Sequence, residues 1–177
     1  MWFRNPGKSY AVGRDSRSRP ACVRCRRRPT TLVEYGDFEC PYCGAAKPVL
    51  HKLIDGSEGA VRLVFRHFPV FERHPFALTA ALAAEASGDK FWAMHDLLFT
   101  HQDRLTDADL AGYALTAGVK GEVTGDAAQV FREAVEADYT QGIADGVRGT
   151  PTLFVNGRLY QGRVDLNDLR GTLGLHR

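Results

Sequence analysis

Residues Thr31 to Pro48 read T-L-V-E-Y-G-D-F-E-C-P-Y-C-G-A-A-K-P, and the fold turns on how this stretch is read. Thr31 to Tyr35 has the β-branched and apolar character of a buried strand, and the glycine and acids after it suit a tight connection. Two cysteines follow, Cys40 and Cys43, separated by Pro41 and Tyr42. Pro41 suits a first helical turn, where its missing N–H costs nothing. A strand that delivers a C-x-x-C pair to the mouth of a helix places both thiols on one turn. There they can close a small disulfide ring or face one metal ion.

A helix N-terminus stabilises negative charge, and thiolates rather than thiols attack disulfides. Cys40, at the helix start, is therefore expected to be the exposed nucleophile. Cys43, one turn in, is expected to be buried and to act as the resolving thiol. Asp37 and Glu39 oppose the thiolate by like-charge repulsion, so Cys40 is expected to be less acidic than in the strongest oxidants. Glu34, flanked by Leu32, Val33 and Tyr35, is a candidate proton carrier if burial raises its pKa. The alternative is an acid on the exposed edge of the strand.

The chain of 177 residues is long enough for one domain with its own core. Its net charge of +2 conceals an asymmetry. Residues 1–29 carry nine Lys/Arg and one acid, whereas residues 30–177 carry fourteen Lys/Arg and twenty acids. Residues 1–29 have neither apolar period and are expected to form a largely disordered, solvated basic tail; a nucleic-acid or membrane-surface patch, or sequence upstream of the true start, are the competing readings. No apolar run reaches about 18 residues, so no membrane span is expected. The first residues lack the apolar core of a secretory signal, which points to a cytoplasmic protein.

From residue 40 to about 55 the pattern is helical and interrupted by Pro48, and Ala60 to Phe68 alternates as a strand. Residues from about 75 to 146 are helical: Ala77 to Ala86, Lys90 to His101, Thr106 to Gly118, and Asp126 to about Ile143. In the last of these, Val130, Ala134, Ala137 and Ile143 are expected on one apolar face. Asn156-Gly157 marks a hairpin between Pro151 to Asn156 and Arg158 to Gln161, and Asp165 to Leu173 is a closing helix. The order predicts an α/β fold with an all-helical insertion between its two halves.

The stretch E-Y-G-D-F-E-C-P-Y-C-G resembles the DsbA-like branch of the thioredoxin superfamily. The likeness continues through F-R-H-F-P (Phe65 to Pro69), H-P-F-A-L-T-A-A-L-A-A-E-A (His74 to Ala86) and F-W-A-M-H-D-L-L-F (Phe91 to Phe99). It ends with V-R-G-T-P-T-L-F-V-N-G (Val147 to Gly157) and so covers about residues 30 to 173. The resemblance implies a thioredoxin-like fold with the helical insertion and a thiol:disulfide oxidoreductase using Cys40 and Cys43. It also implies a cis Thr150-Pro151 bond beside the pair. Substrate backbone would be held at Thr150 and Pro151, with Pro41 and Tyr42 lining the site. Glu34 matches the family's acid six residues before the first cysteine, and Pro48 its kinking proline eight after. No cofactor beyond the dithiol is implied. The partners are protein or peptide thiols and disulfides, plus a redox partner that recycles the pair; no nucleic acid is expected. The direction of electron transfer stays open. Pro-Tyr is also the dipeptide of glutaredoxins, whose potentials lie about 100 mV below that of DsbA.

Two other readings compete. Cys22-x-x-Cys25, fourteen residues before Cys40-x-x-Cys43, comes close to a zinc-ribbon spacing, which would make the four thiols a metal site. Against this, the strand between the pairs reads as buried. A non-catalytic peptide-binding domain is the other alternative, and the intact cysteine pair argues against it. The six histidines show no H-x-x-x-H or H-E-x-x-H pairing, so no histidine metal site is expected. His67 and His74 are candidates to line the active-site side.

Overall fold

The computed structural model describes residues 10–12, as backbone, and residues 29–175. The basic tail therefore lies almost wholly outside the described residues, as do Cys22 and Cys25. Within the tail Tyr10–Val12 is a strand (β1), a departure from the disorder expected of residues 1–29. It runs parallel to β3 (Val61–His67), with Tyr10 opposite Leu63 and Val12 opposite Phe65. Ladder bonds are open to any backbone that reaches a strand edge, which side-chain composition does not announce.

The other strands are β2 (Thr30–Gly36), β4 (Thr152–Val155) and β5 (Arg158–Leu159), and the five form one sheet ordered β1-β3-β2-β4-β5. The β4–β5 hairpin forms as Asn156-Gly157 predicts. Val155 pairs with Arg158, and both turn residues have positive φ, 50° and 81°. These values suit the twist of a two-residue hairpin. The Asn156 side chain also accepts the Thr31 N–H at 2.9 Å, tying the turn to the start of β2.

The chain packs as two compact units, one of Met1–Glu34, Ala45–Phe65 and Thr152–Arg177, the other of Tyr35–Gly44 and Arg66–Pro151. The first holds most of the sheet, most of α1 (Pro41–Gly56) and α7 (Leu166–Thr172). Its buried side chains include Leu32, Leu50, Leu53, Leu63, Phe65 and Leu169. The helix α1 continues through Pro48. That proline removes one N–H, the natural partner of the Gly44 carbonyl. Asp165 caps α7 by accepting from the N–H groups of Asn167 and Asp168.

The second unit holds α2 (Ala77–Ala86), α3 (Phe91–Thr100), α4 (Asp107–Ala117), α5 (Gly125–Gln129) and α6 (Arg132–Ala144). The alanine-rich α2 is buried along most of its length, packing with Ala128 and Val135. Small side chains let neighbouring helices come close. Thr106 and Asp109 form a reciprocal capping box at the start of α4, and Gly118 ends it at φ 79°.

The single helix expected from Asp126 to Ile143 is instead two, broken at Val130–Phe131. Its expected apolar face is not the buried one either. Val130 and Ile143 are 75% and 55% exposed, while Val135, Asp138 and Gly142 are buried. The buried side instead carries Val135, packed with Ala81 and Leu82, and Asp138, whose carboxylate is paired there. Arg66 Nη1 donates to Asp138 Oδ1 at 2.6 Å and the His67 N–H to Oδ2 at 3.1 Å, so a carboxylate takes a core position. Burial still pushes the Asp138 pKa up, against the pull of His67 and Arg66. Gly142 is required by close approach. A Cβ there would lie 2.7 Å from Phe68 Cδ2 and 3.0 Å from Tyr35 Cε1. Among the described residues no helix is long and apolar enough to cross a membrane.

Candidate active site

Cys40 and Cys43 fall where the sequence places them, at the mouth of α1, and both are free thiols. Cys40 immediately precedes the helix and its carbonyl accepts the Gly44 N–H at 3.1 Å, the first bond of the helical ladder. The expectation of an exposed Cys40 is corrected: the residue is 3% exposed and Cys43 fully buried. Pro41 and Tyr42 between them are the exposed members, Tyr42 at 73%. The Cys40 thiol is drawn inward to the Thr150 carbonyl, to which it donates at 3.4 Å. The two thiols therefore differ in position along the helix mouth rather than in exposure.

Cys40 is strongly acidified, from 9.0 to about 5. A hydrogen bond from Cys43 contributes most; burial opposes it; the Thr150 side chain and the N–H groups of Cys43 and Tyr42 add to the lowering. A carbonyl acceptor favours the thiol form, so the Thr150 carbonyl is not the source of that lowering. The Thr150 hydroxyl oxygen is buried and has no other hydrogen bond among the described residues, which leaves its proton available to a thiolate. For comparison, the DsbA nucleophile titrates at ~3.5 and that of thioredoxin at ~7. The Thr150–Pro151 peptide is cis.

The acids expected to repel the thiolate are engaged elsewhere, and neither is among the causes of its shift. Asp37 is buried, with Oδ1 accepting the Glu39 N–H at 2.8 Å and Oδ2 accepting the Val70 N–H at 2.8 Å. The same Oδ2 lies 2.7 Å from His74 Nδ1. Asp37 thus ties the approach to Cys40 to the loop before α2. Glu39 does the same nearby, its Oε2 accepting the Phe76 N–H at 2.7 Å. His74 joins the site through the Asp37 carboxylate. His67 is a buried core residue rather than a lining one, its Nε2 3.0 Å from Glu85 Oε1 and its ring 5.9 Å from that of Phe38.

Glu34 lies on β2 and is 2% exposed, so its carboxyl is more deeply buried than its sequence neighbours alone require. Gln102, in the turn after α3, belongs to no motif. Its Nε2 donates to the carbonyls of Phe38 at 2.7 Å and Cys40 at 2.8 Å. It lies 62 residues from Cys40, and nothing in its local sequence signals the contact.

A family model described as thioredoxin matches residues 27–174. A solved structure described as a thioredoxin-like oxidoreductase from Silicibacter pomeroyi superposes with a TM-score of 0.72 at 25% identity, covering 82% of this chain and 85% of that one. Reduced DsbG of Mycobacterium tuberculosis, described as a disulfide bond oxidoreductase, superposes with a TM-score of 0.64 at 26% identity, covering 82% and 77%. The fold is thus thioredoxin-like and matches DsbA-like thiol–disulfide oxidoreductase structures. Relatives of another kind are also present. The Na(+)/H(+) antiporter NhaA 1 of Salinispora arenicola is 45% identical over 150 residues, which are 81% of this chain and 22% of the antiporter. The chain thus spans about a fifth of the length of that relative.

Proposed function

We propose that this chain, which belongs to the thioredoxin family, is a thiol:disulfide oxidoreductase acting on protein or peptide thiols and disulfides through Cys40 and Cys43. One observation carries the reading: a buried Cys40 thiol at a helix mouth, acidified to about 5 by Cys43 and nearby N–H groups. At that pKa it is almost entirely thiolate near neutrality, and it is a good leaving group when part of a disulfide.

In the reducing direction the Cys40 thiolate attacks one sulfur of a substrate disulfide. A Cys40–substrate disulfide forms and the other substrate sulfur leaves as thiolate. Cys43 then gives up its proton and attacks the Cys40 sulfur, forming the Cys40–Cys43 disulfide and releasing the second substrate thiolate. Two electrons pass from the dithiol to the substrate. The oxidising direction is the same path reversed, and a separate redox partner restores the pair in either case. Thr150 and Pro151 are proposed to hold the substrate backbone, with the exposed Pro41 and Tyr42 beside it. Glu34, buried on β2, is proposed as the proton carrier.

Changing Cys40→Ser is expected to abolish exchange with a peptide or insulin-type disulfide while circular dichroism shows an intact fold. Retained exchange would remove Cys40 as nucleophile. The antiporter identity supports a second, compatible reading, in which the exchange unit works with a cation/proton antiporter in one polypeptide or as its partner. Sodium-driven proton flux in vesicles carrying both would then respond to Cys40→Ser, and indifference to that change counts against the coupling.

A further inference from the structure

Gln102 reaches into the mouth of α1 from a distant part of the second unit and touches the backbone of the nucleophile itself. Its amide has two hydrogens, and both are used, one on the Phe38 carbonyl at 2.7 Å and one on the Cys40 carbonyl at 2.8 Å. These carbonyls stand on either side of Glu39. The Cys40 N–H donates to the Asp37 carbonyl at 3.1 Å, so the residue is held from its N–H side by a turn and from its carbonyl side by Gln102.

The position opposite is Gly44. A Cβ there would collide with Gln102 Oε1 and lie 2.9 Å from Cδ, so the absence of a side chain makes room for the amide. Gly44 is also the residue whose N–H closes the first helical bond onto the Cys40 carbonyl, at 3.1 Å. One carbonyl therefore serves both the helix and Gln102. Gln102 is anchored in turn by its neighbours. The Arg104 N–H donates to the His101 carbonyl at 2.9 Å, Tyr113 Oη donates to the Arg104 carbonyl at 2.9 Å, and the His101 and Tyr113 rings stack at 5.1 Å.

We propose that Gln102 is a positioning residue for the Cys40 sulfur: by pinning the Phe38 and Cys40 carbonyls through the space left at Gly44, it holds the turn that aims Sγ at the N–H groups of Tyr42 and Cys43. The proposal deepens the oxidoreductase reading and rests on it for its significance. Gln102 acts through the backbone of Cys40 and not on the substrate. Hydrogen bonds weaken steeply as their angles open, so a loosened turn leaves the thiolate with fewer effective donors. The required consequence is a less acidic Cys40.

The test measures acidity without any substrate, from the thiolate ultraviolet absorbance of the reduced protein against its Cys40→Ser variant. Gln102→Met keeps the unbranched shape and removes both donors, and is expected to raise the Cys40 pKa by about one unit, the scale of one neutral hydrogen bond. Gly44→Ala is expected to do the same by displacing an otherwise intact Gln102. In a Gln102→Ala background the added methyl meets no amide, so Gly44→Ala should then leave the Cys40 pKa where Gln102→Ala alone puts it. An unchanged pKa in folded Gln102→Met overturns the proposal. If that variant fails to fold, the glycine cycle decides: equal shifts from Gly44→Ala in both backgrounds overturn it. Failure of the oxidoreductase reading would appear separately, as a wild-type protein whose Cys40 thiolate titrates normally but exchanges no disulfide.

Discussion

Acidifying the reduced protein from pH 7 to pH 4 should cost it stability that its Cys40→Ser variant does not lose. The cause is the difference between the Cys40 thiol in the folded chain, at about 5, and its ordinary value of 9.0. A group made more acidic by folding stabilises the fold fully above its unfolded pKa. That contribution is lost as the pH falls through the folded value. At pH 7 two units of the shift are in play, which at 1.36 kcal/mol per unit is a ceiling of about 2.7 kcal/mol; at pH 4 almost none remains. Cys40 lies next to the exposed Pro41 and Tyr42 at the protein surface, and solvent screening there lowers the working expectation to about 1.5 kcal/mol. Urea unfolding under reductant at pH 7, 5.5 and 4 measures it, as the wild-type minus Cys40→Ser difference at matched m-values. Carboxylates titrating over the same range are common to both proteins and cancel. A difference that stays constant across the three pH values, or grows on acidification, would refute the assigned acidity of Cys40.

Asp37→Ala removes the acceptor of the Glu39 and Val70 N–H groups and of His74, and leaves two backbone donors without their partner. At about 1–3 kcal/mol for each stranded buried group, a loss of roughly 3 kcal/mol is expected, with Tm lowered by about 10 °C. A calorimetric loss below about 1 kcal/mol would show that the loop is held by other means. Gly142→Ala pits a gain of up to about 1 kcal/mol in helix propensity against overpacking of the Phe68 and Tyr35 rings, typically about 1–3 kcal/mol. Net destabilisation is expected, and a raised Tm would contradict the packing.

The elements are legible where one local rule dominates. The strand before Cys40, the helix opening at Pro41, the Asn156-Gly157 hairpin and the capping box at Thr106 each follow from residues within four positions of one another. Backbone sterics, turn chemistry and capping act at that range. The apolar face expected between Asp126 and Ile143 is not the buried one: Asp138, paired with Arg66, lies inward beside Val135, and hydrophobic periodicity alone does not register such a partner. Asp37 and Glu39 look like free charges in the sequence, because adjacency along the chain says nothing about which N–H groups their carboxylates meet.

The sequence by itself determined the chemistry on offer: two thiols one helical turn apart, a strand to carry them, and a proline segment far along the chain. The thiols and the strand rest on residue type and spacing, which are properties of the chain alone, and the proline segment on the family resemblance those residues carry. Only the tertiary structure decided how acidic the first thiol is and what holds it. Its burial, its contact with Thr150 across 110 residues and the grip of Gln102 across 62 depend on distances that the order of residues does not contain. The pKa of a thiol is set by the donors within hydrogen-bond reach of its sulfur, and folding chooses those donors.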